Sequence, residues 1–246
     1  MKFWFVGVIL LILSAPSGVV LAAERQEVSV GAYGFAPYYD MEKGRGIIND
    51  VLKQLNDMQK DFEFKLLEIP SRRRYQSFTE RKIDMIFFED PRWSWKGIEH
   101  YSLPLKIDDS EVYIAHRKRA KKQSYFHKLE GKRIAGIVGY HYRFAEFKTD
   151  EQFLRSKFDI ILVNHNQATV RMVLNDRVDV GVVPLSYIRQ YLRENPEKND
   201  EILIGDKVDQ DYDLRLIANP KAVISKERLT KLVEGLVKKP SYKDLF

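Results

Sequence analysis

The chain has 246 residues, with 41 lysines and arginines against 35 acids, a net charge of +6, and 44% hydrophobic residues, enough for one large or two small domains with a sizeable core. It contains no cysteine, which excludes disulfides, thiol catalysis, iron–sulfur clusters and lipid attachment at a cysteine. The densest basic run, Arg117–Lys122, lacks the aromatic-studded sheet or reading helix of a nucleic-acid binder, so it reads as a solvated connection and no nucleic-acid partner is expected.

Residues 1–22 read as a cleaved signal peptide. Lys2 gives a short positive start, Phe3–Leu13 is almost wholly apolar, and Val20-Leu21-Ala22 offers small residues for cleavage after Ala22. Ser14, Pro16, Ser17 and Gly18 break the apolar run before it could span a bilayer, so an exported, soluble protein is expected. Glu27–Ala32 alternates as a strand and leads into an aromatic loop, Tyr33–Tyr39. Gly46 opens an amphipathic helix with Ile47, Ile48, Val51, Leu52 and Leu55 on one face. Phe62–Ile69 is a second strand, and Pro70-Ser71 starts a helix that carries Arg72, Arg73 and Arg74.

The stretch Ser71–Trp95 organises the rest. Its short apolar strand, Met85–Phe88, ends abruptly in Glu89-Asp90-Pro91-Arg92-Trp93, where proline forces the chain out of the sheet. Charged and aromatic residues just past a strand's C-terminal end are where open α/β sheets place ligands. A weaker echo, Val170–Pro184, again runs helix, Arg-Val-Asp, apolar strand, proline. Two such units predict two similar lobes, each offering a strand end to a shared cleft. Glu111–His116 is the predicted connection leaving the first lobe. Lys132–Val138, Asp159–Val163 and Val178–Val183 are the strands of the second, with helices over Asn164–Asn175 and Leu185–Arg193. Gly139-Tyr140-His141 is read as a tight turn into a helix. Glu201–Gly205 and Tyr212–Ala218 read as strands returning to lobe one, before a final helix, Lys226–Lys238, capped by Ser225.

Catalytic patterns are poor. The five histidines (His100, His116, His127, His141 and His165) form no i, i+4 metal pair, and neither a Gly-x-Ser-x-Gly elbow nor a Walker loop occurs; no metal or cofactor is expected. Candidate ligand contacts follow from the strand-end argument. Arg92, beside Trp93 and Trp95 just past a strand end, could present a bidentate cation between ring faces. Glu89 could receive an ammonium or pair with Arg92. Of the three consecutive arginines at most two can face a cleft, Arg72 among them. Tyr33, Phe35 and Tyr38 could wall a pocket, and Gly139-Tyr140 could offer backbone N–H groups to an anion.

The order and spacing of several short motifs carry a resemblance. They are the Tyr33–Tyr39 loop, Gly46-Ile47-Ile48-Asn49-Asp50-Val51-Leu52, Lys82-Ile83-Asp84, Tyr101-Ser102-Leu103-Pro104, Leu129–Ala135 and Arg177-Val178-Asp179. Together they resemble the extracellular solute-binding proteins of family 3, the amino-acid-binding proteins of ABC importers. The resemblance implies an α/β, two-lobed periplasmic binding protein-like fold of type II. Each lobe is a mostly parallel sheet flanked by helices, and two hinge strands join them. It implies lobe one at 23–112 and 209–246 and lobe two at 113–208. It further implies a periplasmic monomer that closes on a small polar, carboxylate-bearing or amino-acid-like ligand and delivers it to an ABC permease or a membrane sensor. The family's Thr-x-x-Arg has no counterpart here, its region being Glu89–Lys96, and the Asp that pairs with the α-ammonium is Pro184. Cyclohexadienyl dehydratases share the fold, so a periplasmic lyase using a cleft acid such as Glu89 is the alternative expectation.

Overall fold

The computed structural model describes Met1 and residues 24–246; the signal peptide expected at 1–22 otherwise lies outside the described residues. The first lobe is built from β1 (Gln26–Ala32), α1 (Ile47–Asp57), β2 (Phe62–Glu68), a 3-10 turn (Ser71–Arg73) running into α2 (Arg74–Thr79), β3 (Met85–Glu89) and β4 (Tyr101–Pro104). The second holds β5 (Ser110–His116), β6 (Ile134–Ile137), α3 (Glu151–Lys157), β7 (Ile160–Val163), α4 (Asn166–Leu174), β8 (Val180–Pro184), α5 (Leu185–Glu194) and β9 (Ile202–Asp211). The chain then returns to the first lobe as β10 (Arg215–Ala218), α6 (Lys226–Leu236) and α7 (Pro240–Lys243).

Each lobe has one five-stranded sheet, in the orders β2-β1-β3-β10-β4 and β7-β6-β8-β5-β9. The two follow one plan. Three strands are parallel, one strand (β10 or β5) runs against them, and a last strand pairs antiparallel with that one, so four of five share a direction. β3 is buried along its whole length, which is why its sequence is a continuous apolar run rather than an alternation. In α1 the buried residues are Ile48, Val51, Leu52 and Leu55, the face that their spacing predicts. Its start needs glycine, because a Cβ on Gly46 would stand 2.3 Å from the Tyr38 carbonyl oxygen. Ser225 caps α6 as expected, accepting from the Arg228 N–H at 3.2 Å.

Two local expectations differ from the structure. Gly139-Tyr140-His141 does not enter a helix directly. Gly139 has φ +78, and the N–H groups of Arg143 and Phe144 donate to the Asp209 carboxylate at 2.6 and 3.0 Å, so only a 3-10 turn forms (Arg143–Ala145). The true helix begins at Glu151, where Asp150 caps it by accepting from Phe153 N–H. Glu201–Gly205 is not a strand returning to lobe one. It is the first half of β9, which runs ten residues against β5 in the second sheet. The exposed pair Asp206-Lys207 interrupts the apolar pattern there without interrupting the strand.

The chain crosses between lobes twice, through residues 105–109 and 212–214, which lie side by side because Ser110 pairs with Asp211 and Tyr212 N–H donates to the Asp109 carbonyl at 3.0 Å. Asp109 is a knot at this point. Its carboxylate accepts from the Tyr38 hydroxyl at 2.7 Å and, at the start of α5, from the Ser186 N–H and hydroxyl at 3.0 and 2.6 Å. A carboxylate at a helix N-terminus is favoured by the exposed N–H groups there.

Candidate functional site

The exits of β1, β3 and β6 meet between the lobes. The space they enclose is lined by Tyr33, Phe35, Arg74, Trp93, Glu111, Gly139, Tyr140 and His141, and its volume is about 10 Å³, room for one water at most. The lobes are therefore closed on each other. Contacts across the gap include Tyr140 hydroxyl to the Gly34 carbonyl (2.8 Å), Asn166 to the Ala36 carbonyl (3.3 Å) and an ion pair, Arg72–Glu151 (2.5 Å). A larger groove of about 850 Å³ runs between the 36–50 loop and α5, but it contains none of the buried charges of the strand exits.

Those charges centre on Arg74. The 3-10 turn at Ser71–Arg73 leaves Arg72 and Arg73 exposed and turns the third arginine inward, where it is 2% exposed. Its guanidinium donates to the carbonyls of Ser71 (2.6 Å) and Gly139 (3.4 Å) and lies over the Tyr75 and Tyr33 rings, 4.4 and 5.0 Å from their centroids. It also meets His141 Nδ1 at 3.1 Å. A guanidinium can only donate, so Nδ1 accepts and the imidazole proton sits on Nε2, within 2.9 Å of the Ser94 hydroxyl. Burial, and then the Arg74 charge, push the His141 pKa down to about 2; the ring is neutral.

Glu89, fully buried at the end of β3, faces Arg74 with Oε1 3.3 Å from Nε, too poorly aligned for a hydrogen bond. Its other oxygen accepts from Trp95 Nε1 at 2.7 Å. Burial raises the Glu89 pKa more than Arg74 and Trp95 lower it. Burial opposes the charge on Arg74 too, but Glu89 and then Tyr33 outweigh it, so the guanidinium stays ionised. Glu111, at the start of β5, is the second buried acid. One oxygen accepts from the Tyr212 hydroxyl; Oε1 has no partner among the described residues. Burial holds its proton well above the ordinary carboxylate range, Tyr212 opposing and Asp209 and Asp109 adding to the rise.

The sequence-predicted residues divide. Tyr33, Phe35, Trp93, Gly139 and Tyr140 line the cavity, with Glu89 beside it. Trp95 lies beneath, fully buried against Phe78 and Tyr75. Tyr38 turns away to Asp109 and stacks on Phe88. Arg92 does not face the cavity. Its side chain is 44% exposed and binds the buried Asp90 carboxylate and the Asp211 carbonyl, a local clasp that also receives the Asp213 N–H. Arg72 sits at the rim in the Glu151 pair. The backbone of Gly139 offers its carbonyl to Arg74, not an N–H to an anion. Sequence reasoning missed Glu111, whose signal was an acid opening an otherwise apolar strand, and His141, which entered only as one of five histidines without metal-pair spacing. Among the described residues no cluster of three or more metal-ligating side chains occurs.

No family model and no curated protein matches the chain. Solved structures do match. The GluR0 ligand-binding core from Nostoc punctiforme in complex with L-glutamate aligns over 89% of this chain and 96% of its own, at a TM-score of 0.67 and 14% identity. The chain has the two-lobed solute-binding fold. An ancestral arginine-binding protein bound to arginine aligns over 90% of this chain and 96% of its own (TM-score 0.66, 17% identity). The arginine-specific periplasmic binding protein of Salmonella typhimurium aligns over 89% of this chain and 97% of its own (TM-score 0.65, 15% identity). At these identities the likeness establishes the architecture alone.

Proposed function

We propose that the chain is a periplasmic solute-binding protein that closes on a small polar ligand bearing a carboxylate and presents the closed form to an ABC permease or membrane sensor. The observation that carries this is Arg74, a buried guanidinium supplied by one lobe and satisfied, in the closed form, by a carbonyl and an imidazole of the other. Opening the lobes frees those two donors, and a ligand carboxylate replaces Gly139 and His141 as their acceptor before the lobes shut. Charge-assisted bonds of this kind contribute about 1.5–3 kcal/mol each. A ligand that touches both lobes stabilises the shut state by its difference in affinity for the two states. The amino acids bound by the proteins of similar fold agree with this ligand class. The side-by-side pairing at Ser110 and Asp211 supports crossings at 105–109 and 212–214, just outside the divisions at 112 and 209 expected from sequence.

The test is a thermal-shift screen of a carboxylate-rich metabolite library against the mature chain and its Arg74→Lys and Arg74→Gln variants. A ligand at a hundred times its Kd adds about 2.7 kcal/mol, which for a chain of this size raises Tm by about 5–10 °C. A shift of that order, lost in Arg74→Gln and weakened in Arg74→Lys, is the expected result. If no carboxylate shifts the melt, or if Arg74→Gln binds as the wild type does, the assignment fails. Incubation with prephenate addresses the lyase reading: an aromatic product would replace binding with catalysis as the function of this cleft.

A further inference from the structure

The second lobe holds a pocket of its own, away from the cleft. Helices α4 and α5 cover one face of its sheet, where Val112 and Ile114 of β5 pack with Val170, Val183 and Ile188. Tyr113, between those two strand residues, points to the other face. There the chain after β6 makes only the 3-10 turn Arg143–Ala145, and α3 starts late, at Glu151, and packs on β7. The delayed helix leaves a concavity of about 720 Å³, a size ordinary for sites that take a whole small molecule. It shares no lining residue with the interlobe cavity.

Its floor is apolar, formed by Ile134, Phe144, Phe158 and Val208 with the Tyr113 ring. Phe144, Phe158 and Val208 are only half-buried, so apolar surface there is left to cover. Its rim is basic: Lys132, Arg143, Lys157 and Lys207 stand against three acids. Two of those acids are already engaged. Asp159 pairs with Arg133 at 3.1 Å, and Asp209 accepts from the Tyr113 hydroxyl and two backbone N–H groups. Only Glu130 is left to oppose the four cations. Lys207 and Lys132 reach nearby carbonyls, of His127 and Lys128. The side chains of Arg143 and Lys157, both exposed, have no hydrogen bond or ion pair among the described residues. Each of these two cations directly precedes one of the half-buried phenylalanines, and the rings of Phe144 and Phe158 meet edge to face at 5.0 Å. Two unmatched cations therefore flank one aromatic pair, a surface complementary to a ring that carries an acid group.

We infer that this pocket binds a small amphiphilic anion, an aromatic acid whose ring lies on Phe144 and Phe158 and whose acid group is held by Arg143 and Lys157. The site stands apart from the cleft but backs onto its wall. Arg143 and Asp209 line the pocket, while their near neighbours His141 and Gln210 bond to Arg74 and Trp93 of the first lobe. An anion could enter either place, so the test carries a variant of each.

The probe is anilinonaphthalene sulfonate, titrated by fluorescence beside its uncharged parent, phenylnaphthylamine, which has the same rings and no acid group. The wild type is expected to bind one equivalent of the sulfonate, about tenfold or more tightly than the parent. The double variant Arg143→Gln/Lys157→Gln is expected to weaken the sulfonate about tenfold, and to melt as the wild type does because neither side chain has a partner to lose. Two controls are expected to bind as the wild type does: Arg74→Gln, and Lys118→Gln/Lys121→Gln, which removes the same charge from exposed positions of this lobe outside the pocket. Sulfate and chloride at equal ionic strength are expected to weaken the dye equally, by screening. Equal binding of the two dyes reduces the pocket to bare apolar surface and overturns the inference. An equal loss in Lys118→Gln/Lys121→Gln assigns binding to net charge, and a loss in Arg74→Gln assigns it to the cleft; either result overturns it. So do preferential displacement by sulfate, binding of several equivalents, and no binding at all.

Discussion

Replacing Arg74 with methionine tests the buried charge arrangement directly. The substitution removes the cation that faces Glu89 and its stacking on Tyr33 and Tyr75, while a chain of similar length keeps most of the packing. Glu89 is fully buried, so it is left as an acid with only the Trp95 bond and the Tyr33 hydroxyl to hold its charge. Breaking a buried pair in this way costs about 3–5 kcal/mol. For this chain length that is a fall in Tm of about 6–20 °C. The cost depends on pH with a definite sign. Without Arg74, the folded chain holds the Glu89 proton to a higher pH than the unfolded chain does, so stability falls as pH rises above about 4.5. The double variant Arg74→Met/Glu89→Gln removes both charges and should recover most of the loss. Urea unfolding followed by the fluorescence of Trp93 and Trp95, at pH 5 and pH 8, measures all three forms. A single variant within about 1 kcal/mol of wild type at pH 8, or a double variant no more stable than the single, would refute the reasoning.

Three further outcomes follow from the same geometry. Glu111→Gln should raise Tm at neutral pH and leave it unchanged near pH 4, because the folded chain keeps the Glu111 proton above the ordinary 4.5 and wild-type stability therefore falls as pH rises through that value; a thermal melt series from pH 4 to 8 checks it. The neutral His141 acts in the opposite direction: its folded pKa is lowered to about 2, so the stability it contributes is complete above about 6.5 and drains away as pH falls, and His141→Gln should flatten the melt series between pH 4 and 6. Arg72→Ala breaks an exposed interlobe pair and should cost less than about 1 kcal/mol of folding stability, with small-angle scattering showing a wider unliganded form at low salt and no difference from wild type at high salt.

The cleft was legible in the sequence because proline after an apolar strand leaves the chain nowhere to go but out of the sheet. Both Pro91 and Pro184 mark such exits, and that logic singled out Glu89 and Trp93; Phe35 was read from the aromatic loop after the first strand, and Tyr140 from a turn taken for a helix start. The choice among Arg72, Arg73 and Arg74 was not legible. It depends on a 3-10 turn at Ser71–Arg73, which resets the phase of the helix, and a 3.6-residue period cannot anticipate that reset. Arg92 looked like an anion-gripping group because it lies just past a strand end and beside two tryptophans, Trp93 and Trp95. The structure sets it on Asp90 two residues away, a short-range pairing that competes with any ligand and leaves no trace in spacing. Glu111 was hidden because an acid at the first positions of a strand usually points to water. Here the strand begins inside the hinge, where all seven of its residues are buried.

The sheet order of the first lobe bears on how the chain is made. β4 has only one neighbour, β10, and more than a hundred residues separate the two in sequence. At ordinary rates of synthesis that interval is on the order of ten seconds. During it Tyr101–Pro104 has no ladder to join, and β3 presents a bare edge, while the whole second sheet can assemble from contiguous chain. The inserted half of the molecule is thus complete before the half that encloses it, and a truncation before Arg215 would leave two apolar strand edges open to other chains.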